Sequence, residues 1–291
     1  MFIRRGDLRS LAGGGKGIDM LTLGFKPLKR LIFIPVCASC RERLSPFSKN
    51  EEQMHGNICF CDKCLKAWEE AKAEICPVCF QSSCDCFCAP DVFKGQPDIP
   101  SLCFYHPERH DAQSNAIITM KRTRDRELFS FVAKELSPRV EKTLQKMGLR
   151  ADECIFTWVP RKKEAISKSG FDQGRELCVG IARELGGEVY PLFDRFYGEE
   201  QKKLDRRGRA KNAERSIVLN SSMSGFPRRF DAESIEDFIK GRNIVVIDDV
   251  MTSGSTLKKS VSLLRAAGAE QVAVACVAKT AGSGKKNKKS R

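Results

Sequence analysis

Residues 243–257 have the sequence Asn-Ile-Val-Val-Ile-Asp-Asp-Val-Met-Thr-Ser-Gly-Ser-Thr-Leu. The four β-branched residues from Ile244 to Ile247 form an apolar run that is too short for a helix. Such a run predicts a buried central strand of a parallel sheet. Ligands of open α/β sheets bind at the carboxyl ends of the strands, where this chain places Asp248 and Asp249. The sequence therefore predicts a binding site at this end of the strand.

The loop after the two carboxylates is rich in small polar residues and precedes a helical pattern. Its members are Thr252, Ser253, Gly254, Ser255 and Thr256. Together they offer backbone N–H groups, hydroxyls and a helix N-terminus to one anion, which suits a phosphate group. The carboxylates before the loop suit ribose hydroxyls and a Mg²⁺ ion. The alternative is an ordinary turn that only caps the helix, but strand, acidic pair, hydroxyl loop and helix together favour the phosphate–ribose site.

This stretch resembles the phosphoribosyl-pyrophosphate (PRPP) loop of type I phosphoribosyltransferases, in which an acidic pair precedes Thr-Thr-Gly-x-Thr. Ser253 stands in place of the second threonine and keeps the hydroxyl. The resemblance implies that the loop holds the 5′-phosphate of the ligand. It also implies that Asp248 and Asp249 face the ribose hydroxyls and the metal.

Other segments predict further strands and helices around this one. Cys154 to Val159 and Gln271 to Ala278 are predicted strands, and residues 189–193 predict a short one. A helix is predicted from Leu128 to Leu136, ended by Pro138. Because strands alternate with helices, the predicted fold class is α/β, with a parallel sheet covered by helices on both faces.

The cysteines between residues 37 and 88 occur in closely spaced groups. A pair of thiolates two residues apart clamps one edge of a tetrahedral metal, and two such pairs complete the site. The first predicted zinc ligands are Cys37, Cys40, Cys61 and Cys64. Four thiolates leave no open position, so this zinc is predicted to be structural. The alternative, disulfide bonding, is disfavoured in the reducing cytoplasm, where we expect this protein to reside.

A second zinc site is predicted from the next cysteines of the same segment. Cys76 and Cys79 form one pair, and two of Cys84, Cys86 and Cys88 complete the tetrahedron. We favour Cys84 and Cys86 for these two positions. The segment has few large apolar residues, so its folding is expected to depend on metal.

Length and charge suit one α/β domain with a small attachment. The chain has 291 residues, 14 cysteines and a formal net charge of +14, and no run approaches the ~18 apolar residues of a membrane span. Such a charge favours a polyanionic partner. The predicted organisation is a loose N-terminal extension (1–34), a cysteine-rich zinc ribbon (35–100), a phosphoribosyltransferase-like domain (101–280) and a basic disordered tail (281–291).

The chain further resembles the ComF family of competence-associated, phosphoribosyltransferase-like proteins, from about Cys37 to Lys279. Besides the PRPP loop, four landmarks carry the resemblance. Tyr105 precedes a helix that leads to Lys121, and Val159-Pro160 is followed by Gly170-Phe171-Asp172-Gln173. The other two are the set Gln201, Leu204, Arg209 and Asn212, and the helix end Ala267-Gly268-Ala269. Ser169 and Asp172 depart from the family's usual Arg and Asn. Both departures make that loop less positive.

Basic residues on two other segments complete the predicted site. In the phosphoribosyltransferase reaction, cations take up charge on the leaving pyrophosphate. Arg161, Lys162 and Lys163 are predicted to approach that group, with a solvated basic loop as the alternative. Arg209 is predicted to close over the ligand from a flexible loop. The basic stretch around it, from Lys202 to Lys211, is either solvated or in contact with a nucleic-acid backbone.

Two functions from different classes follow. In the first, the protein binds PRPP or a related phosphoribosyl ligand with Mg²⁺. The ComF resemblance implies that it then assists the DNA-uptake machinery in moving single-stranded DNA into the cytoplasm during natural transformation. In the second, it is an active phosphoribosyltransferase that transfers the sugar to an unidentified acceptor. Basic tracks with aromatic residues hold single strands, which favours the first function.

Overall fold

The computed structural model describes residues 35–44, 59–86, 88, 93, 98–106, 108–195, 217–222 and 232–280. The predicted N-terminal extension, the basic tail and Arg209 with its basic stretch lie outside these residues. The predicted division of the chain into four segments stays a prediction.

The described residues form helices and strands that alternate along most of the chain. The helices are α1 (Asp62–Lys72), α2 (Ala112–Arg122), α3 (Arg126–Lys146), α4 (Lys163–Ser169), α5 (Gln173–Leu185), α6 (Ile235–Ile239) and α7 (Ser255–Ala266), with a 3₁₀ turn at Ala151–Glu153. The strands are β1 (Cys103–Phe104), β2 (Ile155–Trp158), β3 (Glu188–Val189), β4 (Phe193–Arg195), β5 (Ile217–Leu219), β6 (Asn243–Met251) and β7 (Gln271–Lys279).

Five of these strands form one parallel sheet in the order β1-β7-β6-β2-β3. Strand β6 occupies the middle, and it pairs with β2 from Ile244 to Ile247. It is longer than its four predicted apolar residues because pairing with β7 continues to Met251. Asp248 and Asp249 therefore lie within the strand rather than after it. The β-geometry fixes their backbone, which pre-orients both side chains.

Helices cover both faces of this sheet. Successive side chains of β6 point to opposite faces, and both sets are buried. Val245 and Ile247 point into a core shared with α3 and α5. Ile244 and Val246 point to the opposite face, where they join a core shared with α6 and α7. Each face of β6 thus buries a separate set of side chains, which explains the continuous apolar run in its sequence.

Two sequence expectations about secondary structure were wrong. Helix α3 does not end before Pro138 but continues through it to Lys146. The carbonyl that loses its donor belongs to Lys134, which is exposed, so water can donate to it. Leu136 and Val140 are buried on either side of the proline and hold the helix on the core.

The expected short strand at residues 189–193 is also divided in two. Strand β3 belongs to the main sheet, whereas β4 pairs antiparallel with β5 in a separate two-stranded sheet. Pro191 lies between β3 and β4 and cannot donate a backbone hydrogen bond, so it ends the first pairing.

The cysteine-rich segment packs directly on the sheet domain. The ring of Phe131, on α3, lies 5.4 Å from that of Phe60 and 5.8 Å from that of Trp68. The Thr119 hydroxyl, on α2, donates to the Ala38 carbonyl at 2.6 Å. One hydrophobic core therefore includes residues from both segments. Across the part of the chain that the structure describes, no helix is long and apolar enough to cross a bilayer.

Candidate functional site

The acidic pair lies at the carboxyl end of β6, and donors from two other elements hold it. Asp249 Oδ2 accepts a hydrogen bond from Lys121 Nζ on α2 at 3.1 Å and one from Gln173 Nε2 on α5 at 3.3 Å. Its other oxygen accepts the Val250 N–H at 2.8 Å, and Asp248 Oδ1 accepts the Asp249 N–H at 2.9 Å. The orientation of Asp249 is therefore fixed by contacts from α2, α5 and its own strand.

The two carboxyl groups have opposite electrostatic environments. Burial and the neighbouring charge of Asp249 raise the pKa of Asp248 well above its usual range. Burial also acts to raise the pKa of Asp249, but the charge and hydrogen bond of Lys121 outweigh it and lower that pKa. The pair therefore favours a state with one ionised carboxylate over a state with two. A cation beside the pair stabilises the doubly ionised state.

The loop of residues 252–256, called here the ligand loop, joins β6 to α7. Gly254 is the N-cap of α7 and lies in the left-handed region, with φ of 75°, which glycine adopts without strain. It has no side chain to cap the helix, and the Ser255 N–H at the start of α7 makes only a long hydrogen bond of 3.4 Å to the Ser253 hydroxyl, which an anion can replace. The Ser253 and Ser255 hydroxyls lie 2.6 Å apart and are exposed at the surface or partly so. Loop and helix together present a cradle of donors beside the acidic pair.

A neighbouring strand end braces the start of the ligand loop. Thr280 follows β7 directly, and its N–H donates to the Met251 carbonyl at 3.0 Å. Its hydroxyl donates to the Thr252 carbonyl at 3.1 Å. The loop is therefore anchored where it leaves the sheet, before its exposed donors begin.

The predicted basic residues after β2 lie at the same end of the sheet, because β2 and β6 run parallel. The Arg161 guanidinium donates to the Ser169 hydroxyl at 3.1 Å. Its backbone N–H donates to Asp172 Oδ2 at 3.1 Å. Lys162 and Lys163 are exposed at the start of α4. The structure thus places all three cations beyond the strand end and fixes the backbone of Arg161.

Asp172 has a structural task that explains its acidic side chain. One of its oxygens accepts hydrogen bonds from Trp158 Nε1 and the Arg161 N–H, both at 3.1 Å. The other caps α5 by accepting the Gly174 N–H at 3.0 Å. The two departures from the ComF pattern, Ser169 and Asp172, therefore form a local network that orders this loop.

Lys121 and Gln173 belong to the site, although sequence reasoning gave them no role in it. In the sequence they are only landmarks of the family resemblance. They lie far from Asp249 in sequence, and neither spacing nor composition signals the contact. The Oε1 atom of Gln173 is buried and has no hydrogen-bond partner among the described residues. A ligand hydroxyl or a water is the kind of donor that such an atom requires.

The first predicted zinc ligands come together. The Sγ atoms of Cys37, Cys40, Cys61 and Cys64 all lie within 4.8 Å of one another. Cys37 and Cys40 belong to a tight turn in which the Arg41 N–H donates to the Cys37 carbonyl at 3.0 Å. Cys61 is the N-cap of α1, and Cys64 lies in the first turn of the same helix. These four residues can hold a tetrahedral metal.

The second group differs from the prediction in one residue. It contains Cys76, Cys79, Cys86 and Cys88, again with all Sγ atoms within 4.8 Å of one another. Cys84 is not in it; its thiol instead lies 3.4 Å from the Ser82 hydroxyl. The turn after Cys76 repeats that of the first group, since the Phe80 N–H donates to the Cys76 carbonyl at 3.0 Å.

Comparisons with known proteins agree with this architecture. Residues 191–291 match the family model of the phosphoribosyl transferase domain, and this match includes the acidic pair and the ligand loop. No curated protein matches the chain. The predicted fold class is confirmed: an α/β, phosphoribosyltransferase-type parallel sheet, preceded by a cysteine cluster with the spacing of a zinc ribbon.

Solved structures give distant similarities. Glutamine PRPP amidotransferase from B. subtilis, complexed with ADP and GMP, is 18% identical over 42% of this chain, with a TM-score of 0.27; the chain spans only 22% of its length. A hypoxanthine phosphoribosyltransferase from Staphylococcus aureus is 12% identical over 57% of this chain and 72% of its own, with a TM-score of 0.32. Purine phosphoribosyltransferase from Pyrococcus horikoshii is 15% identical over 51% and 74%, with a TM-score of 0.31.

Proposed function

We propose that this protein binds PRPP or a related phosphoribosyl ligand, together with Mg²⁺, at the carboxyl end of β6. The observation that carries the proposal is the acidic pair Asp248–Asp249 beside a hydroxyl-rich loop that leads into the N-terminus of α7 through a glycine N-cap. The carboxylates suit the ribose hydroxyls, and the adjacent helix N-terminus suits the phosphate group of a phosphorylated ribose. The match of this region to a phosphoribosyl transferase domain supports the same ligand class.

Each part of the site has a role under this proposal. Thr252, Ser253, Gly254, Ser255 and Thr256 hold the 5′-phosphate. Asp248 and Asp249 accept hydrogen bonds from the ribose hydroxyls, and their oxygens are donors that Mg²⁺ prefers. Such an ion, when bound, neutralises charge on the pyrophosphate. Arg161, Lys162 and Lys163 approach that group from the β2 side, and Arg209 closes over the ligand.

Lys121 gives this site a cation of its own. Its ammonium pairs with Asp249 Oδ2, so a divalent ion at that oxygen competes with the ion pair. Gln173 holds the same oxygen, and its buried Oε1 faces no protein donor in the described part of the chain. We therefore assign both residues to the binding site, with Lys121 maintaining the ionised carboxylate and Gln173 orienting it.

The biological role that we propose is assistance to the DNA-uptake machinery during natural transformation, in the cytoplasm, with single-stranded DNA as a partner. Its support is the resemblance to the ComF family and the net charge of +14. Under this proposal the cysteine groups hold structural zinc. The second candidate is turnover as a phosphoribosyltransferase with an unidentified acceptor, which the matched domain and the complete acidic pair favour.

A ligand-dependent melting experiment tests the binding site. PRPP with Mg²⁺ at a hundred times its Kd should stabilise the folded protein by about 2.7 kcal/mol. Asp249→Asn should weaken this stabilisation. Gly254→Val should abolish it, because a branched side chain at positive φ distorts the loop. An unchanged melting shift in both variants would show that the ligand loop is only a turn.

Two assays run in parallel separate the biological roles. Filter binding of single-stranded DNA across a salt series should show affinity falling steeply as salt rises. Joint neutralisation of Lys202, Lys203, Arg206 and Arg207 should flatten that dependence and leave PRPP binding intact. Pyrophosphate release on addition of one of a panel of nucleobases would instead support turnover. DNA affinity equal to that of an unrelated basic protein would remove the support for the uptake role.

A further inference from the structure

Lys279, the last residue of β7, is a buried lysine with an unusual set of partners. Only 1% of its surface is exposed. A buried ammonium is costly unless an anion or several acceptors compensate it. Its Nζ donates to the Cys86 carbonyl. Among the residues that the structure describes, no Asp or Glu forms an ion pair with it.

A group that can carry the compensating negative charge, the second cysteine group, lies beside the ammonium. Cys86, whose carbonyl receives the Lys279 ammonium, is one of its four members, and Cys88 follows two residues later. Phe104 packs against Cys76 and Cys86 and is the neighbour of Lys279 in the sheet. Four thiolates around a divalent ion retain a net negative charge. A metal bound there gives the buried ammonium the partner that it otherwise lacks.

The other side of the same strand end contacts the ligand loop. Thr280 donates from its N–H to Met251 and from its hydroxyl to the Thr252 carbonyl, at 3.0 and 3.1 Å. The Lys279 carbonyl accepts the Tyr105 N–H at 2.9 Å, which fixes the strand end between these contacts. Two consecutive residues therefore connect the cysteine group to the first residue of the loop.

We propose that the second cysteine group is a thiophilic metal centre that controls the ligand loop through Lys279 and Thr280. This proposal rests on the proposed function only for the identity of the ligand. With metal bound, the ammonium is held at Cys86 and Thr280 keeps the Thr252 carbonyl in place. Without metal, the ammonium loses its anion and the strand end loosens. The ligand loop then loses its anchor, and phosphate-ligand affinity falls.

The first cysteine group provides an internal control for the ligand loop, because its hydrogen bonds and ring contacts go to α2 and α3. Its turn is bound by Thr119 of α2 through the Ala38 carbonyl, and Phe60 next to it packs on Phe131 of α3. None of these contacts includes the strand end of β7 or the ligand loop. Metal loss at the two centres should therefore have different consequences for the loop.

Two variants test the connection at its two ends. Lys279→Met keeps an unbranched side chain of similar length and removes the charge, and Thr280→Val removes one hydroxyl with little change of volume. Lys134→Met, at an exposed position of α3, is the matched control. The readouts are zinc retained per chain against a chelator, hydrogen exchange of the backbone at residues 252–256 without ligand, and PRPP·Mg²⁺ affinity by calorimetry.

Lys279→Met should release one zinc ion at lower chelator concentration and speed exchange in the ligand loop, while exchange at residues 37–44 stays unchanged. Thr280→Val should retain both zinc ions, speed loop exchange and weaken PRPP about 2- to 10-fold, as loss of one hydrogen bond implies. Lys134→Met should match the wild type throughout.

Wild-type zinc retention in Lys279→Met, or a more stable protein, would show that no metal-bound anion compensates the ammonium and would overturn the role of Lys279 in the connection. Unchanged loop exchange in both variants would overturn the connection. Failure of the wild type to bind PRPP while loop exchange responds to metal would refute the proposed ligand and leave the connection standing. If Lys279→Met does not fold, Thr280→Val and the chelator titration of the wild type decide the outcome.

Discussion

Lys121→Met is the substitution whose consequences the geometry defines best. It removes the ammonium that lies 3.1 Å from Asp249 Oδ2 and keeps an unbranched side chain. The pair is neither a surface pair nor a fully buried one, since 33% of the Lys121 side chain and 13% of the Asp249 side chain are exposed. Surface pairs contribute about 0–1 kcal/mol, and breaking a buried pair costs about 3–5 kcal/mol. Because Gln173 and the Val250 N–H remain on Asp249, we expect a loss of about 1–2 kcal/mol at neutral pH.

The pH dependence of this loss has a definite sign. Burial acts to raise the pKa of Asp249, but Lys121 outweighs it, so the folded-state pKa lies below the unfolded one. A carboxyl group of this kind stabilises the fold above its unfolded pKa, about 3.9, and loses that contribution as pH falls through the folded pKa. Lys121 acts in the same direction on Asp248, whose pKa burial raises. The difference between wild type and variant is therefore full at pH 7 and shrinks below about pH 4.

Urea unfolding at pH 7 and at pH 3 measures this difference, with Lys134→Met as the control for loss of a lysine. Mg²⁺ should stabilise the Lys121→Met protein more than the wild type, because the ion no longer competes with an ammonium at Asp249. Equal stability of the two proteins at pH 7 would refute the reasoning. So would a loss of stability that persists unchanged at pH 3.

Substitutions at three further places in the fold probe other contacts. Joint replacement of Cys61 and Cys64 by serine should remove about one zinc ion, as measured by elemental analysis. It should also unfold the cysteine-rich segment, because the free energy of metal binding stabilises its fold. Full zinc content in this variant would contradict the prediction. Gly187→Ala should destabilise the protein by about 1–3 kcal/mol in thermal unfolding, because the new Cβ would lie 2.2 Å from Phe156 Cε2; an unchanged melting temperature would refute the clash. Asp172→Ala should lose more stability than Asp172→Asn, which keeps one acceptor oxygen; equal losses would show that the hydrogen bonds contribute little.

The sequence predicts the centre of the fold well because the information there is local. A run of β-branched residues, two carboxylates and a glycine loop determine a strand and the start of a helix within fifteen residues. The alternation of strands and helices then implies a parallel sheet. Helix α3 shows where local rules fail: Pro138 ends a helix in isolation, but burial of Leu136 and Val140 overrides that preference.

The fourth member of the second cysteine group depends on backbone turns rather than on spacing. Two ligands have to come from Cys84, Cys86 and Cys88, which gives three possible pairs within five residues. The backbone conformation of these residues decides which pair faces the metal. The structure turns Cys84 towards Ser82 and directs Cys86 and Cys88 to the pair at Cys76. The spacing of cysteines alone contains no information about this turn.

The contacts around Asp249 show why the rest of the site escaped prediction. Lys121 precedes it by more than a hundred residues, and only the packing of α2 against the sheet brings the ammonium to the carboxylate. The same holds for Thr280, whose backbone partner in the ligand loop is set by the pairing of β6 with β7. Lys121 and Thr280 both orient the site from outside the loop of residues 252–256. Under the proposed function, a phosphoribosyl ligand would meet a site whose acidic pair and loop start are already oriented, which lowers the free-energy cost of ordering them on binding.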